Sequence, residues 1–328
     1  MKLKIFIIWG ALLLALLVLY VCQREPALSI TFGGDIILAR EGEALFVEDP
    51  WGGFAVPAGN GGNTAADTLF FANLESPLGE TEHLNKASVN GYDLCAGVEQ
   101  AGLLVTGGIN LVSIANNHQG DCGEGDSTRK TLVEHSIPSV GNNFTPVYLD
   151  TTAGRVGVIA ADDITGAVNE DALVEQVTAA REQCVILIVS LHWGNEYQAG
   201  PTQHQRDLAQ RLADAGVDVL WGHHPHVLQP VEWVAASTGE RKMLVMYSLG
   251  NLLTDQWMTH DTQRSALITL YFNGGRIESI SAQPIRMDWA TRSLVTPNLD
   301  EINKIEERLG LENLSGISVI QPGNGDQK

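Results

Sequence analysis

Short apolar runs recur along the chain, and many of them break off at a polar or glycine-rich turn. Leu28–Phe32 stops at Gly33-Gly34-Asp35, Thr68–Leu74 at Glu75-Ser76-Pro77, and Leu111–Ala115 at Asn116-Asn117-His118. The β-branched run Cys184–Leu191 stops at His192-Trp193-Gly194, and Val217–Trp221 at Gly222-His223-His224-Pro225-His226. Apolar runs of this length, closed by turn residues, predict buried strands. Helical patterns cover 94–106, Ser127–Ser136, 168–182 and Gln203–Ala215. The second must stop near Pro138. The last carries Leu208 and Leu212 on one face and ends at Gly216. Arg155–Ala161, Leu244–Tyr247, Ala266–Phe272 and Ile277–Gln283 read as further strands, followed by a helix near 299–309 and a polar tail from Pro322. Residues 50–63, rich in Gly, Pro and Asn, read as a long loop. Strand and helix alternate first, and strands follow. That order predicts an α/β domain with parallel strands and an antiparallel edge or second sheet.

One run differs from the rest. Ile5–Cys22 holds eighteen residues without a charge, preceded by Met1-Lys2-Leu3-Lys4 and followed by Gln23-Arg24-Glu25-Pro26. It is just long enough to span a bilayer as a helix, and Lys2 and Lys4 favour a cytoplasmic N-terminus. The expectation is a single-pass anchor over 1–26, a main extracytoplasmic domain over 27–290, and a C-terminal helix and tail over 291–328. A cleaved signal peptide is the rival, but no A-x-A-like site follows the run. Lipoprotein processing at Cys22 is a third reading, weakened by Val21, which is poorly suited to that cut.

Composition narrows the function. With 44% hydrophobic and 18% charged residues, the 328-residue chain folds around a core rather than remaining disordered. Its formal net charge of −19 repels phosphate backbones, which argues against nucleic-acid binding. The same field would repel other polyanions unless a metal or a local basic patch offsets it. No G-x-x-x-x-G-K-[ST] segment occurs, so no nucleotide site of that kind is expected. Ser190 and Ser248 lack the G-x-S-x-G context of a nucleophile elbow. Outside the anchor lie Cys95, Cys122 and Cys184, an odd number and no disulfide framework. A Cys95–Cys122 bridge in an oxidising compartment and three unpaired thiols both fit.

The polar residues collect at the strand ends. Asp35, Glu75, Asn117, His118, His192, His224 and His226 each follow an apolar run, and ligands of open α/β sheets bind at that edge. A single Asp there is commonly a helix cap, and a lone His is usually a satisfied polar group. Five strand ends together would require five such coincidences. Carboxylate, amide and imidazole groups in one place suit a divalent ion such as Mn²⁺, Zn²⁺ or Fe²⁺.

The segments FGGDIIL, FANLESPLG, SIANNHQGDCG, SLHWGNEY, WGHHPHVLQPVEW and YSLGNLL, in this order across roughly 29–255, resemble the CapA proteins of capsule and poly-γ-glutamate synthesis. That family is similar to the calcineurin-like metallophosphatases in motif order. The resemblance implies a layered β-sandwich flanked by helices and one or two divalent ions. It makes Asp35 the first ligand, Glu75 the bridging carboxylate, Asn117 the amide ligand, and His192, His224 and His226 the imidazole ligands. His118 corresponds to the acid that protonates a leaving oxygen, while His223, Glu196 and Asn251 line the pocket or support the ligands. Tyr197 also follows the HWG turn, and Trp193, Trp221 and Trp233 read as core. Two positions depart from the metallophosphatase pattern. Ile37 stands where G-D-x-H has its histidine, and Glu75 replaces an aspartate. One ion position should therefore be weak or empty.

The function this implies is a membrane-anchored, extracytoplasmic protein of capsule or poly-γ-glutamate production and export. It would work beside membrane-embedded synthase and export subunits and could contact an anionic polymer. The alternative is a metal-dependent hydrolase of phosphoesters or γ-glutamyl polymers, with His118 as proton donor.

Overall fold

The computed structural model describes residues 28–40, 49–54, 67–80, 93–123, 126–141 and 143–320. The expected anchor, most of the expected 50–63 loop and the polar tail from Pro322 lie outside them. Among the described residues, no helix is long and apolar enough to cross a membrane.

The strands are β1 (Leu28–Ile36), β2 (Asp67–Leu74), β3 (Leu78–Gly79), β4 (Ala96–Gly97), β5 (Leu111–Ser113), β6 (Ser139–Val140), β7 (Val147–Thr151), β8 (Gly154–Asp162), β9 (Ile186–His192), β10 (Val219–His223), β11 (Val231–Ala235), β12 (Lys242–Met246), β13 (Asn251–Leu253), β14 (Arg264–Asn273), β15 (Arg276–Asp288), β16 (Ser293–Val295) and β17 (Ile317–Val319). The helices are α1 (Ala101–Thr106), α2 (Ser127–Glu134), α3 (Glu170–Arg181), α4 (Gln203–Ala215), α5 (His260–Gln263) and α6 (Leu299–Leu309). One sheet runs β16-β15-β14-β1-β2-β5-β6, with β13 beside β1 and β17 beside β15. The other runs β11-β12-β10-β9-β8-β7. Neighbours among β1, β2, β5 and β6, and among β8, β9, β10 and β12, pair in parallel. Strands β7, β11, β14, β15 and β16 pair antiparallel, and only the short β17 adds a parallel pairing, to β15. Parallel strands at the centre and antiparallel ones outside are what the order of segments predicts.

Period-2 alternation separates the layers. Leu28, Ile30 and Phe32 of β1, Phe71 of β2 and Ile186 and Ile188 of β9 share the core between the sheets. Leu187, Val189 and Leu191 face the other way, onto Leu173 and Val177 of α3 and Leu208 and Leu212 of α4. Phe70 and Ala72 join Leu104 of α1 and Leu132 of α2 on the outer face of the first sheet. The result is two sheets face to face with helices outside, the layered sandwich expected from the motif order. Ends are set locally. Thr202 and Gln205 form a capping box on α4, which Gly216 closes at φ +98°. Asn298 and Glu301 do the same on α6.

One element differs from expectation. The helix read over 94–106 is shorter, because Ala96–Gly97 is a strand paired to Leu78–Gly79 and α1 starts only at Ala101. The Leu94 N–H is taken by Asp121 Oδ2 at 2.8 Å, and Cys95 is bridged to Cys122 with Cα atoms 4.9 Å apart. In the folded chain these long-range partners override the stretch's helical propensity. The bridge settles the cysteine question: Cys184 alone is a free thiol among the described cysteines. It closes a 27-residue separation, so Cys95→Ser/Cys122→Ser should cost roughly 3.5 kcal/mol by loop entropy. Denaturant unfolding checks this, and an unchanged midpoint in the double variant would contradict it.

Candidate metal centre

The C-terminal ends of β1, β2 and β5 meet those of β9 and β10, and the two sheets touch there directly. Trp221 of β10 donates from Nε1 to the Gly33 carbonyl at 2.9 Å and packs edge-on against Phe32 at 5.5 Å. This aromatic floor leaves the residues beyond it facing one another.

Asp35 is the penultimate residue of β1 and is fully buried. Its Oδ1 accepts from Asn73 Nδ2 at 2.8 Å, and its Oδ2 from the His224 backbone N–H at 3.3 Å. His223 Nδ1 and His226 Nδ1 each lie 3.4 Å from its oxygens. Burial pushes this carboxyl up, but hydrogen bonding and charge from His223 and His226 win and hold it well below the usual carboxylate range. Glu75 is equally buried, yet neither of its oxygens has a hydrogen-bond partner. Its Oε1 lies 3.5 Å from His226 Nε2, 3.8 Å from His192 Nε2 and 3.9 Å from His118 Nε2. Burial raises its pKa to about 7, against the lowering effect of the His226 charge.

His192 ends β9 with no exposed surface, and neither ring nitrogen is partnered. Burial, then the charge of His224, holds it well below the usual histidine range, so it is neutral. His224 is 6% exposed with Nδ1 unpartnered. Burial lowers it to about 4. His226 goes the other way. Burial disfavours its charge, but Glu75 and Asp35 outweigh that and raise it to about 9. Its Nδ1 is 3.0 Å from Asn251 Oδ1. The Asn251 amide already donates to Gln256 Oε1 and the Thr262 carbonyl. The Asn251 oxygen is therefore an acceptor, Nδ1 carries the proton, and Nε2 is left towards Glu75. His223 has Nε2 3.1 Å from Ser190 Oγ and its ring against Trp221. Ser190 and Ser248 are buried and spent on internal hydrogen bonds, to His223 and to the Gly250 N–H.

The turn after β5 is tied down by Asn116, whose Nδ2 donates to the Leu74 carbonyl at 2.9 Å. Asn117 has a buried, unpartnered Oδ1. His118 is part-exposed, with Nδ1 2.7 Å from Asp121 Oδ2. Asp121 thus orients the imidazole, and Asp121 is itself held between the Leu94 N–H and the disulfide. The sequence pattern does not single out Asn73, Asn116 or Asp121. For Asp121 the i, i+3 spacing to His118 is the available signal. Glu196 is exposed at the mouth, and Trp193 and Trp221 are core. Ile37, in the place of the absent histidine, lies wholly in the outer core.

Among the described residues three sets of ligand atoms lie mutually within 4.8 Å: Glu75/His192/His224, Asp35/Glu75/His226 and, at the mouth, Glu196/His224/His226. Atoms each about 2.1 Å from one ion at a tetrahedral angle lie about 3.4 Å apart. Separations of 3.5–3.9 Å around Glu75 Oε1 are too long for good hydrogen bonds and close to that figure. Buried polar atoms without partners are rare and costly, and here they cluster on carboxylate and imidazole groups. The residues present fit a divalent ion, with Asn117 near the same edge. Such an ion would supply Lewis acidity and a positive anchor for anionic oxygens.

Without an ion, His226 keeps a proton up to about pH 9 and Glu75 up to about pH 7. Both pKa values are raised above the unfolded ones. Their contribution to metal-free stability is therefore complete at low pH and is lost as pH rises through about 7 and then 9. A cation must displace these protons, so apparent metal affinity should climb steadily from pH 6 to 9. Calorimetric titration in buffers of different ionisation enthalpy counts the protons released. Affinity independent of pH over that range would contradict the assignment.

The family model of bacterial capsule synthesis protein PGA_cap matches residues 29–256. Capsule biosynthesis protein CapA of Bacillus anthracis is 29% identical over 271 residues, which cover 74% of this chain and 64% of that protein. PGA biosynthesis protein CapA of Bacillus subtilis (strain 168) is 25% identical over 293 residues, covering 81% of this chain and 73% of its relative. The match thus spans a little under two thirds of the Bacillus anthracis protein's length. Among solved structures, a hypothetical protein from Thermus thermophilus superposes with a TM-score of 0.49 at 17% identity, covering 78% of this chain and 98% of that one.

Proposed function

Because this chain belongs to the bacterial capsule synthesis protein PGA_cap family, we propose that it is an accessory protein of capsule or poly-γ-glutamate production whose sheet-edge centre holds one or two divalent ions. The observation that carries the metal reading is the set of buried ligand atoms without partners: both Glu75 oxygens, both His192 nitrogens, His224 Nδ1 and Asn117 Oδ1. The ions are Mn²⁺, Zn²⁺ or Fe²⁺, as the mixed oxygen and imidazole donors favour. The centre would take carboxylates of the anionic polymer, and the metal offsets the repulsion of an acidic surface. Work beside membrane-embedded synthase and export subunits follows from the same reading. Elemental analysis of the purified full-length chain tests it: at least one transition-metal ion per chain is expected, and a metal-free protein that takes up none on titration would refute it.

In this proposal residues 1–26 anchor the chain with its main domain outside the cytoplasm. A C-terminal alkaline phosphatase fusion should be active in cells, and an inactive one beside an active cytoplasmic reporter would overturn that topology. His118 separates an accessory role from a hydrolytic one. An accessory protein should sustain near-normal polymer output as His118→Ala at unchanged protein level. A hydrolase with His118 as general acid would instead lose roughly 10²–10⁴-fold in rate.

A further inference from the structure

The Asp35/Glu75/His226 set has three protein ligands, because Ile37 is turned into the core. A carboxylate from a different loop stands beside it. One oxygen of Glu196 and one nitrogen each of His224 and His226 lie within 4.8 Å of one another. Glu196 is exposed, whereas both histidines are more than nine-tenths buried, and His224 keeps an unpartnered Nδ1. Resting on the metal reading above, we propose that Glu196 is a further metal ligand, supplied from the mouth of the site to the ion that His226 holds, in place of the histidine missing at position 37.

An exposed glutamate is ordinarily a solvated surface group, but this one is delivered by a tethered backbone. The Tyr197 N–H donates to the Pro225 carbonyl at 2.8 Å, inside the loop that carries His224 and His226. Buried Gln229 donates to the carbonyls of Gln198 and Gly200 from the far side. The two loops are therefore fastened together at residues that follow directly on Glu196. A third carboxylate also makes chemical sense here. Asp35 already accepts from Asn73 and the His224 backbone, so its capacity to bind an ion is partly used. Being solvent-exposed, Glu196 is the ligand that an incoming carboxylate can displace without changing the charge at the ion. Asp35, Glu75 and His226, sealed in the interior, cannot be exchanged in that way.

The test is titration of the metal-free full-length chain with Mn²⁺ alone, comparing the wild type with Glu196→Gln and with His192→Ala. Glu196→Gln should weaken the ion that His226 holds by at least the roughly 10–100-fold that loss of an outer-shell partner produces, while the metal-free protein melts as the wild type does. His192→Ala should weaken the ion of the other set. Mn²⁺ affinities unchanged by Glu196→Gln, with His192→Ala still lowering them, would overturn this inference and leave the metal centre standing. A wild-type chain that binds no Mn²⁺ or other divalent ion would remove both.

Discussion

Replacing His192 and His226 together by alanine is expected to leave the protein without detectable metal and to make its melting temperature insensitive to chelator. His192 contributes to one ligand set and His226 to the other two, so the pair leaves none intact. Two effects on stability add. Binding an ion at a hundred times its dissociation constant stabilises the fold by about 2.7 kcal/mol, and the variant forgoes this. Loss of His226 also strands Asp35 and Glu75, two fully buried carboxyls, without their cationic neighbour. Breaking such a buried arrangement costs about 3–5 kcal/mol, although Glu75 escapes part of it by staying protonated. Elemental analysis and paired melts with Mn²⁺ and with chelator measure both effects. Wild-type metal content in the double variant would end the assignment.

Gly34→Ala should also be severely damaging, although it adds only a methyl group. A Cβ on Gly34 would fall 1.9 Å from the Gly250 carbonyl oxygen and 2.8 Å from its carbon. That carbonyl accepts the Asp35 N–H at 2.9 Å, which clamps β1 to the start of β13. No side-chain rotation relieves a clash between backbones. The expected loss exceeds about 4 kcal/mol, and the variant should accumulate poorly in soluble form. Gly102→Ala is the internal control: it lies within α1 with open space around its Cβ, and should gain up to about 1 kcal/mol. A Gly34→Ala protein that melts like the wild type would show that β1 and β13 are not held so closely.

The site is legible because its residues follow strands that are apolar on both faces. Asp35, Glu75, His118, His192, His224 and His226 can be placed at one edge from the run-then-turn pattern alone. Their supporting residues cannot. Asn73 sits inside the β2 run and reads as an interruption, yet its amide holds Asp35. Asp121 belongs to a glycine-rich turn and reads as a loop residue until Cys122 is known to be tied to Cys95. The 94–106 stretch misleads for a related reason, since its partners Leu78 and Asp121 are remote in sequence. Short strands such as β13 and β17 carry too few residues to show a period, and they exist because β1 and β15 offer edges to pair with. Asn251 is visible only through the SLGN segment, and its hold on His226 depends on Gln256 and Thr262, which nothing local announces.

His224 and His226 both occupy the left-handed backbone region, at φ +92° and +58°. Side chains of this kind cost about 1–3 kcal/mol each in such positions, and glycine or asparagine would sit there more comfortably. His224 adds a buried ring nitrogen without a partner. Mutation without selection should therefore drift towards glycine or asparagine at 224, since that relieves strain and leaves no orphaned group. Histidine persists at such a position only while something rewards its imidazole. Across related chains, the residue at 224 becomes a record of use: lineages that have abandoned the ion should lose this histidine early, well before the sandwich around it changes.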